Sequence, residues 1–171
     1  MFADNVRKKI LTLCIIHQSS RVLLGMKKQG FGAGRWNGFG GKVELGEAIE
    51  DAARREVREE AGVEVLDIEK AGIIEFEFSS GGGSASGGHG NSEILEVHIF
   101  RSGGFSGEPA ESDEMRPQWF AVDEIPFASM WPDDTYWFPL FLKGKKFHGR
   151  FLFGDGDKVL EYSLSEVKQF A

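Results

Sequence analysis

The chain has 171 residues, 41% of them apolar and 27% charged, an ordinary composition for one globular domain with its own core. A net charge of −7 argues against a general nucleic-acid binder, whose surface is basic, but not against a polyphosphate held through a cation. Cys14 is the only cysteine, so no intrachain disulfide forms, and no run reaches the ~20 apolar residues of a membrane span.

The apolar run 10–16 (ILTLCII) follows Arg7, Lys8 and Lys9 in outline like a secretory signal. It is short, ends in His17-Gln18 and lacks a small-residue cleavage site, so it predicts a first buried strand with Cys14 as an inert core thiol. HQSS makes a turn, and 21–28 (RVLLGMKK) is the hairpin partner. Residues 29–41 are glycine-rich and loop-like. A helix is predicted over 48–61, stopped by Gly62. In 72–78 (GIIEFEF), Ile74, Phe76 and Phe78 alternate with Glu75 and Glu77, as in a strand. Residues 93–100 (EILEVHIF) predict another. Between them, ten of the twelve residues of SSGGGSASGGHG are Gly or Ser. This marks a flexible connector at 79–92, in which His89 reads as solvated.

A strand at 117–122 (PQWFAV) leads to Asp123-Glu124-Ile125-Pro126. WPDDTYWFPLFLK, residues 131–143, predicts a second helix, with Pro132 in its first turn and Asp133 and Asp134 at its positive end. The closing FHGRFLFGDGDKVLEYSL suggests a hairpin around Gly154-Asp155-Gly156. Lys143, Lys145, Lys146 and Arg150 read as a solvated basic surface. No repeat or second domain is visible, so residues 1–171 read as one α/β domain, a mixed sheet flanked by helices.

The chemistry concentrates in 41–63, GKVELGEAIEDAARREVREEAGV. On a helical wheel Ile49, Ala52, Ala53 and Val57 form the apolar face. Glu56 and Glu60 fall within it, Glu59 lies at its edge, and Arg54 and Arg58 lie opposite. Unpaired carboxylates cost several kcal/mol each to bury, roughly, unless something positive meets them. Clustered at i, i+3 and i+4, they suit a hard divalent cation such as Mg2+. Taken alone, the pattern reads about equally as a solvated, charge-rich helix.

The spacing goes further. Gly41, Glu47, Arg55-Glu56, Val57, Glu59-Glu60, Gly62 and Val63 stand at every fixed position of the box that defines the Nudix hydrolase superfamily, which the chain therefore resembles. The resemblance implies an α/β/α sandwich around a mixed sheet and hydrolysis of a nucleoside diphosphate linked to another group. It also implies metal held by Glu56, Glu59, Glu60 and the Gly40 carbonyl, with Glu47 structural. From the residues themselves, Arg55 sits one turn before Glu59, where it can fix a carboxylate. Gly38, Gly40 and Gly41 allow close backbone approach.

The strings GMKKQGFGAGRWNGFGGKV, ESDEMRPQWF and MWPDDTYWFPLFL…KKFHG resemble the animal branch of that superfamily that acts on oxidised purine nucleoside triphosphates. That likeness implies Mg2+-dependent conversion of 8-oxo-dGTP and 2-hydroxy-dATP to monophosphate and pyrophosphate. By the match, Asn37 and Asp133 read the base edge with Asp134 beside them, and Trp131 stacks on the purine. Thr12 and Lys27 come from the first hairpin, and Phe31, Phe76, Met115 and Trp137 form walls. Phe39, Gly40, Gly41, Lys42 and Pro132 contact substrate, and Glu114 is a catalytic carboxylate supporting metal. Read without the resemblance, Trp131 and Trp137 are core aromatics, and Asp133 and Asp134 are acids at a helix N-terminus.

The chain departs from the branch in the 79–92 segment and at Leu95. The implied partner is a small-molecule nucleotide, with no stable nucleic-acid binding and no membrane. The implied state is a monomer in the cytoplasm, with nuclear or mitochondrial pools as alternatives. The competing functions are a Nudix hydrolase for a dinucleotide polyphosphate or nucleotide sugar, and a non-catalytic nucleotide sensor.

Overall fold

The computed structural model describes residues 7–79 and 93–171, so the predicted connector lies outside the described residues apart from Ser79. The described elements are, in order, β1 (Arg7–Gln18), β2 (Arg21–Lys27), β3 (Trp36–Asn37), α1 (Ile49–Ala61), β4 (Glu64–Val65), β5 (Glu69–Phe78), β6 (Glu93–Ser102), β7 (Phe105–Ser106), β8 (Met115–Ala121), α2 (Asp134–Leu142), β9 (Lys146–Phe153) and β10 (Val159–Val167). The main sheet runs β10-β9-β5-β6-β1-β2-β3, with β8 also paired to β2. The β1–β6 and β5–β9 pairs are parallel and the others antiparallel, which makes the sheet mixed as predicted.

Each face of the sheet carries a helix. Consecutive residues of β1 point to opposite faces, and Cys14, Ile15 and Ile16 are all fully buried. Cys14 and Ile16 pack with Ala53, Val57 and Ala61 of α1. Ile15 packs with Trp137, Phe138 and Phe141 of α2. The result is the expected α/β/α sandwich. Helix α1 ends where Gly62, at φ 73°, donates its N–H to the Arg58 carbonyl. Among the described residues no helix is long and apolar enough to cross a membrane.

Two departures bear on the site. Helix α2 begins at Asp134 rather than 131, leaving Pro132 outside and Asp133 as its N-cap residue. The glycine-rich stretch is also less loop-like than predicted. β3 pairs with Gly25 and Met26 of β2, and the chain then crosses to β1, with bridges Cys14↔Phe39 and Leu11↔Lys42. The N–H of Thr12 donates to the Gly41 carbonyl at 2.9 Å, and that of Val43 to the Ile10 carbonyl at 3.1 Å. Residues 36–43 therefore wedge between β1 and β2 and hold Gly40 and Gly41 against the sheet. Gly40 is obligatory here, because a Cβ would lie 1.8 Å from the Thr12 carbonyl oxygen.

Candidate active site

The carboxylates of α1 meet the glycine wedge. Glu60 is buried, at 2% exposure, and its Oε1 accepts the Gly40 N–H at 2.9 Å. Glu56 packs against Gly41, where a Cβ would come within 2.6 Å of its Oε1. Burial pushes the Glu60 carboxyl up to about 8, opposed by the Gly40 N–H and raised further by Glu56 and Glu114. Burial also raises Glu56, against the pull of Arg55.

Arg55 organises the outer side of this cluster. It forks onto Glu47 (Nε–Oε2 2.7 Å, Nη2–Oε1 3.0 Å) and reaches Glu56 at 2.9 Å and Glu59 at 3.3 Å. Beside Arg55, the Glu47 carboxyl falls to about 2. Glu47 is thus a bridge to the loop rather than a cap, since Ala48 is the N-cap residue of α1. Glu114, after a long loop, comes within 3.4 Å of Lys27 Nζ.

As a test of fit to a cation, this is an all-oxygen donor set, with two carboxyls that burial and neighbouring negative charge hold towards neutrality. A divalent cation supplies the charge such a set lacks. Among the described residues, however, no three acidic, histidine or cysteine side chains stand together at metal-holding spacing. Arg55 and the Gly40 N–H engage the oxygens instead.

A cavity of about 270 Å³ runs from Glu60, Gly40 and Gly41 across the α2 face of the sheet to Asp133, Asp134 and Trp131. Thr12, Lys27, Phe31, Asn37, Phe76, Met115 and Trp137 line it as well. Residues before and after the wedge, and others about a hundred positions later, therefore share one space. Phe39, Lys42 and Pro132 do not line it. Strand alternation turns Phe39 to the opposite face, where it is fully buried among the residues under α1. Glu56, Glu59 and Glu114 lie outside the lining too. Leu11, Leu13, Val97, Ile99, Phe78 and Phe153 line it without having been singled out. Period-two alternation along β1 and β6 was the available signal for several of them.

Asp133 and Asp134 are both buried, at 2% and 3% exposure. Neither behaves as a simple helix cap. Asp133 makes no side-chain cap bond, and its Oδ2 accepts Trp137 Nε1–H at 2.8 Å. Burial drives both carboxyls up, and the neighbouring Asp133 raises Asp134 further, so the two titrate as a pair. Asp134 Oδ2 and Thr12 Oγ1 are buried with no hydrogen-bond partner in the protein, although both residues line the cavity. Asn37 Oδ1 accepts the Gly38 N–H at 2.9 Å, which leaves the amide NH2 as a donor. Trp131 is flanked by Phe31 at 5.2 Å and Phe153 at 5.8 Å. Trp137 is a core aromatic and also the partner that fixes Asp133. Lys145, Lys146 and Arg150 pair with Glu166, Glu69 and Glu75, and neither they nor Lys143 line the cavity.

The NUDIX domain family matches residues 7–141. The oxidized purine nucleoside triphosphate hydrolase of Mus musculus is 56% identical over 162 residues, covering 95% of this chain and 97% of that one. The protein of the same name from Danio rerio is 56% identical over 160 residues, covering 94% and 96%. The crystal structure of a mutator MutT protein from Bacillus halodurans superposes with a TM-score of 0.76 at 28% identity, covering 91% of this chain and 97% of that one.

Proposed function

The chain belongs to the NUDIX domain family, and from that premise and its oxidised-purine relatives we propose how its cavity divides the work of hydrolysing oxidised purine nucleoside triphosphates. One observation carries the reading: a single cavity has the Glu60–Gly40–Gly41 cluster at one end and Asp133, Asp134 and Trp131 at the other. The base enters the second end, and the phosphates lie along the first.

At the base end Trp131 is the stacking surface, worth roughly 1–3 kcal/mol for a nucleobase. Asn37 donates from its NH2. The Asp133–Asp134 pair offers an acceptor and a proton in one place, so it can meet the edge of either an oxidised guanine or an oxidised adenine. The unpartnered Asp134 Oδ2 and Thr12 Oγ1 are atoms that such a ligand would satisfy.

At the phosphate end Glu56, Glu59, Glu60, Glu114 and the Gly40 carbonyl are the proposed holders of Mg2+. When bound, the cation neutralises non-bridging phosphate oxygens and favours attack by water. Arg55 keeps Glu56 and Glu59 oriented. Glu59, the most exposed of Glu56, Glu59 and Glu60, is the proposed residue to orient the attacking water. Lys27, at the cavity wall, is available to a phosphate oxygen once it leaves Glu114. The products are then monophosphate and pyrophosphate. The same reading makes the enzyme a monomer in the cytoplasmic pool, to be checked by sedimentation velocity and by imaging of the tagged protein.

The test is a substrate panel with Mg2+, scoring product release from 8-oxo-dGTP, 2-hydroxy-dATP, dGTP, ADP-ribose and a diadenosine polyphosphate. The oxidised triphosphates should have the highest kcat/KM and yield pyrophosphate. Preference for ADP-ribose or the dinucleotide would overturn the assignment.

A further inference from the structure

Trp131 is a partition. On one side it lines the cavity; on the other it lines an open groove formed by residues 30–35, Ala128 and Ser129. Arg35 belongs to the groove and not to the cavity. Its guanidinium carbon lies 4.1 Å from the centre of the Trp131 ring, a cation–π contact. The same guanidinium donates from Nη1 to Asp157 Oδ2 at 2.9 Å. The Asp157 side chain is 3% exposed and sits in the β9–β10 turn, 122 residues away in sequence.

The loop bearing Arg35 is itself held. The Lys27 N–H donates to the Arg35 carbonyl at 3.0 Å, and the Gly34 N–H to the Lys27 carbonyl at 2.9 Å. Gly32 lies against the indole edge, where a Cβ would come within 3.2 Å of Trp131 Nε1. The groove side of the tryptophan is thus backed by a cation anchored to the turn between β9 and β10. The remaining ring neighbours, Phe31 and Phe153, stand at tilted or edge-on angles and do not cover that face in parallel.

We propose that Arg35 is a positioning residue for base recognition: anchored on Asp157, it backs Trp131 and fixes the plane on which the purine stacks. This rests on the reading of Trp131 as the stacking surface. Arg35 touches neither the cavity nor the phosphate-end carboxylates, so its loss should act on binding rather than on the chemical step. Its charge also lowers the proton affinity of Asp133 and Asp134, a second route by which it could influence the base. The test must separate the two routes.

The experiment is a double-mutant cycle on steady-state 8-oxo-dGTP hydrolysis, with thermal unfolding as the fold control. Arg35→Gln removes the cation and should raise KM about three- to tenfold, with kcat within about twofold of the parent. Arg35→Lys keeps the charge and the tie to Asp157 but loses the planar fork, so its KM should fall between the two. If Arg35→Gln folds poorly, the Arg35→Lys comparison carries the test alone. Trp131→Ala should raise KM about tenfold or more. In that background Arg35→Gln should add nothing further.

Unchanged KM in Arg35→Gln, or in Arg35→Lys where only that variant folds, alongside a raised KM in Trp131→Ala, overturns this inference and leaves the stacking reading standing. An equal KM increase from Arg35→Gln with and without Trp131 also overturns it, because the effect would then run through the aspartates. Unchanged KM in Trp131→Ala removes the stacking reading and the inference together.

Discussion

Replacing Glu60 by Gln should stabilise the metal-free protein while removing its turnover. The carboxyl is buried against the Gly40 N–H and titrates at about 8 in the fold, against an ordinary value of 4.5. The metal-free native state therefore keeps the Glu60 proton through a range in which the unfolded chain has lost it. In that window the native state binds more protons, so stability falls as pH rises from about 4.5 to about 8, by about 1.4 kcal/mol per pH unit at most. It levels off above the folded value. Discounted for relaxation around a new charge, the whole window is worth roughly 2–4 kcal/mol, on the order of 5–10 °C in Tm for a chain of this size.

Gln keeps the shape and can still accept the Gly40 N–H, but it does not titrate. Thermal unfolding in chelator at pH 5 and pH 8 reads the difference. The parent should lose stability relative to Glu60→Gln between the two values, and Mg2+ should restore the parent alone. Other groups titrate in both proteins. Asp133 and Asp134 are also raised by burial and act with the same sign. His17 and His98 are lowered by burial and act with the opposite sign, at lower pH. They cancel in the comparison, although Glu56, next to Glu60, moves with it. Turnover of the variant at saturating Mg2+ should fall about a hundredfold or more. If the two proteins lose stability in parallel from pH 5 to pH 8, Glu60 does not carry the buried-charge cost, and the account of the cluster fails.

Asp133→Asn can keep the bond from Trp137 Nε1 through its amide oxygen, but its NH2 then faces Asp134 and the shared proton is lost. A buried polar contact of this kind is worth about 1–3 kcal/mol, so kcat/KM for 8-oxo-dGTP and 2-hydroxy-dATP should fall about five- to 150-fold and by different factors. Kinetics against Mg2+ concentration should show unchanged metal dependence; unaltered specificity constants would remove Asp133 from base reading. Gly40→Ala places a methyl group 1.8 Å from the Thr12 carbonyl oxygen and 2.6 Å from its carbon, atoms of the central strand that cannot give way. The cost should exceed about 3 kcal/mol and lower Tm by about 10 °C, read by calorimetry, and a Tm within a few degrees of the parent would show that the wedge yields.

What the sequence revealed and what it hid divide along one physical line. Helix α1 was readable because its determinants are local: an apolar stripe, carboxylates lying on that stripe, and Gly62 in the left-handed region. The burial of Glu60 follows from the wheel, since it shares the face of Ala53 and Val57. Strands β1, β5 and β6 were readable from their apolar runs, although each extends beyond its predicted limits because polar end residues still find sheet partners. β3, β4 and β7 were not. Two residues carry no periodicity, and such strands exist only because a partner strand presents itself.

The same distinction runs through the site. The family resemblance puts Phe39 with the substrate contacts, yet the glycine wedge pairs with β1 as a strand, and a strand sends adjacent residues to opposite faces. The pattern Gly38-Phe39-Gly40 is the signature of that alternation: glycines where the chain must pass close, a large apolar side chain where α1 needs filling. Asp133 and Asp134 illustrate the converse. Two acids at the start of a helix have a sufficient local explanation in the helix dipole, and nothing local contradicts it. Only the fold shows that both are buried and that Asp133 is committed to Trp137. Two buried acids at a helix start are costly, and so is Glu60, which lines the same cavity. On the proposed reading one ligand relieves both, with a cation at the phosphate end and a hydrogen-bonding base at the other. A metal-bound purine triphosphate would do so in one molecule, which is what the substrate panel tests.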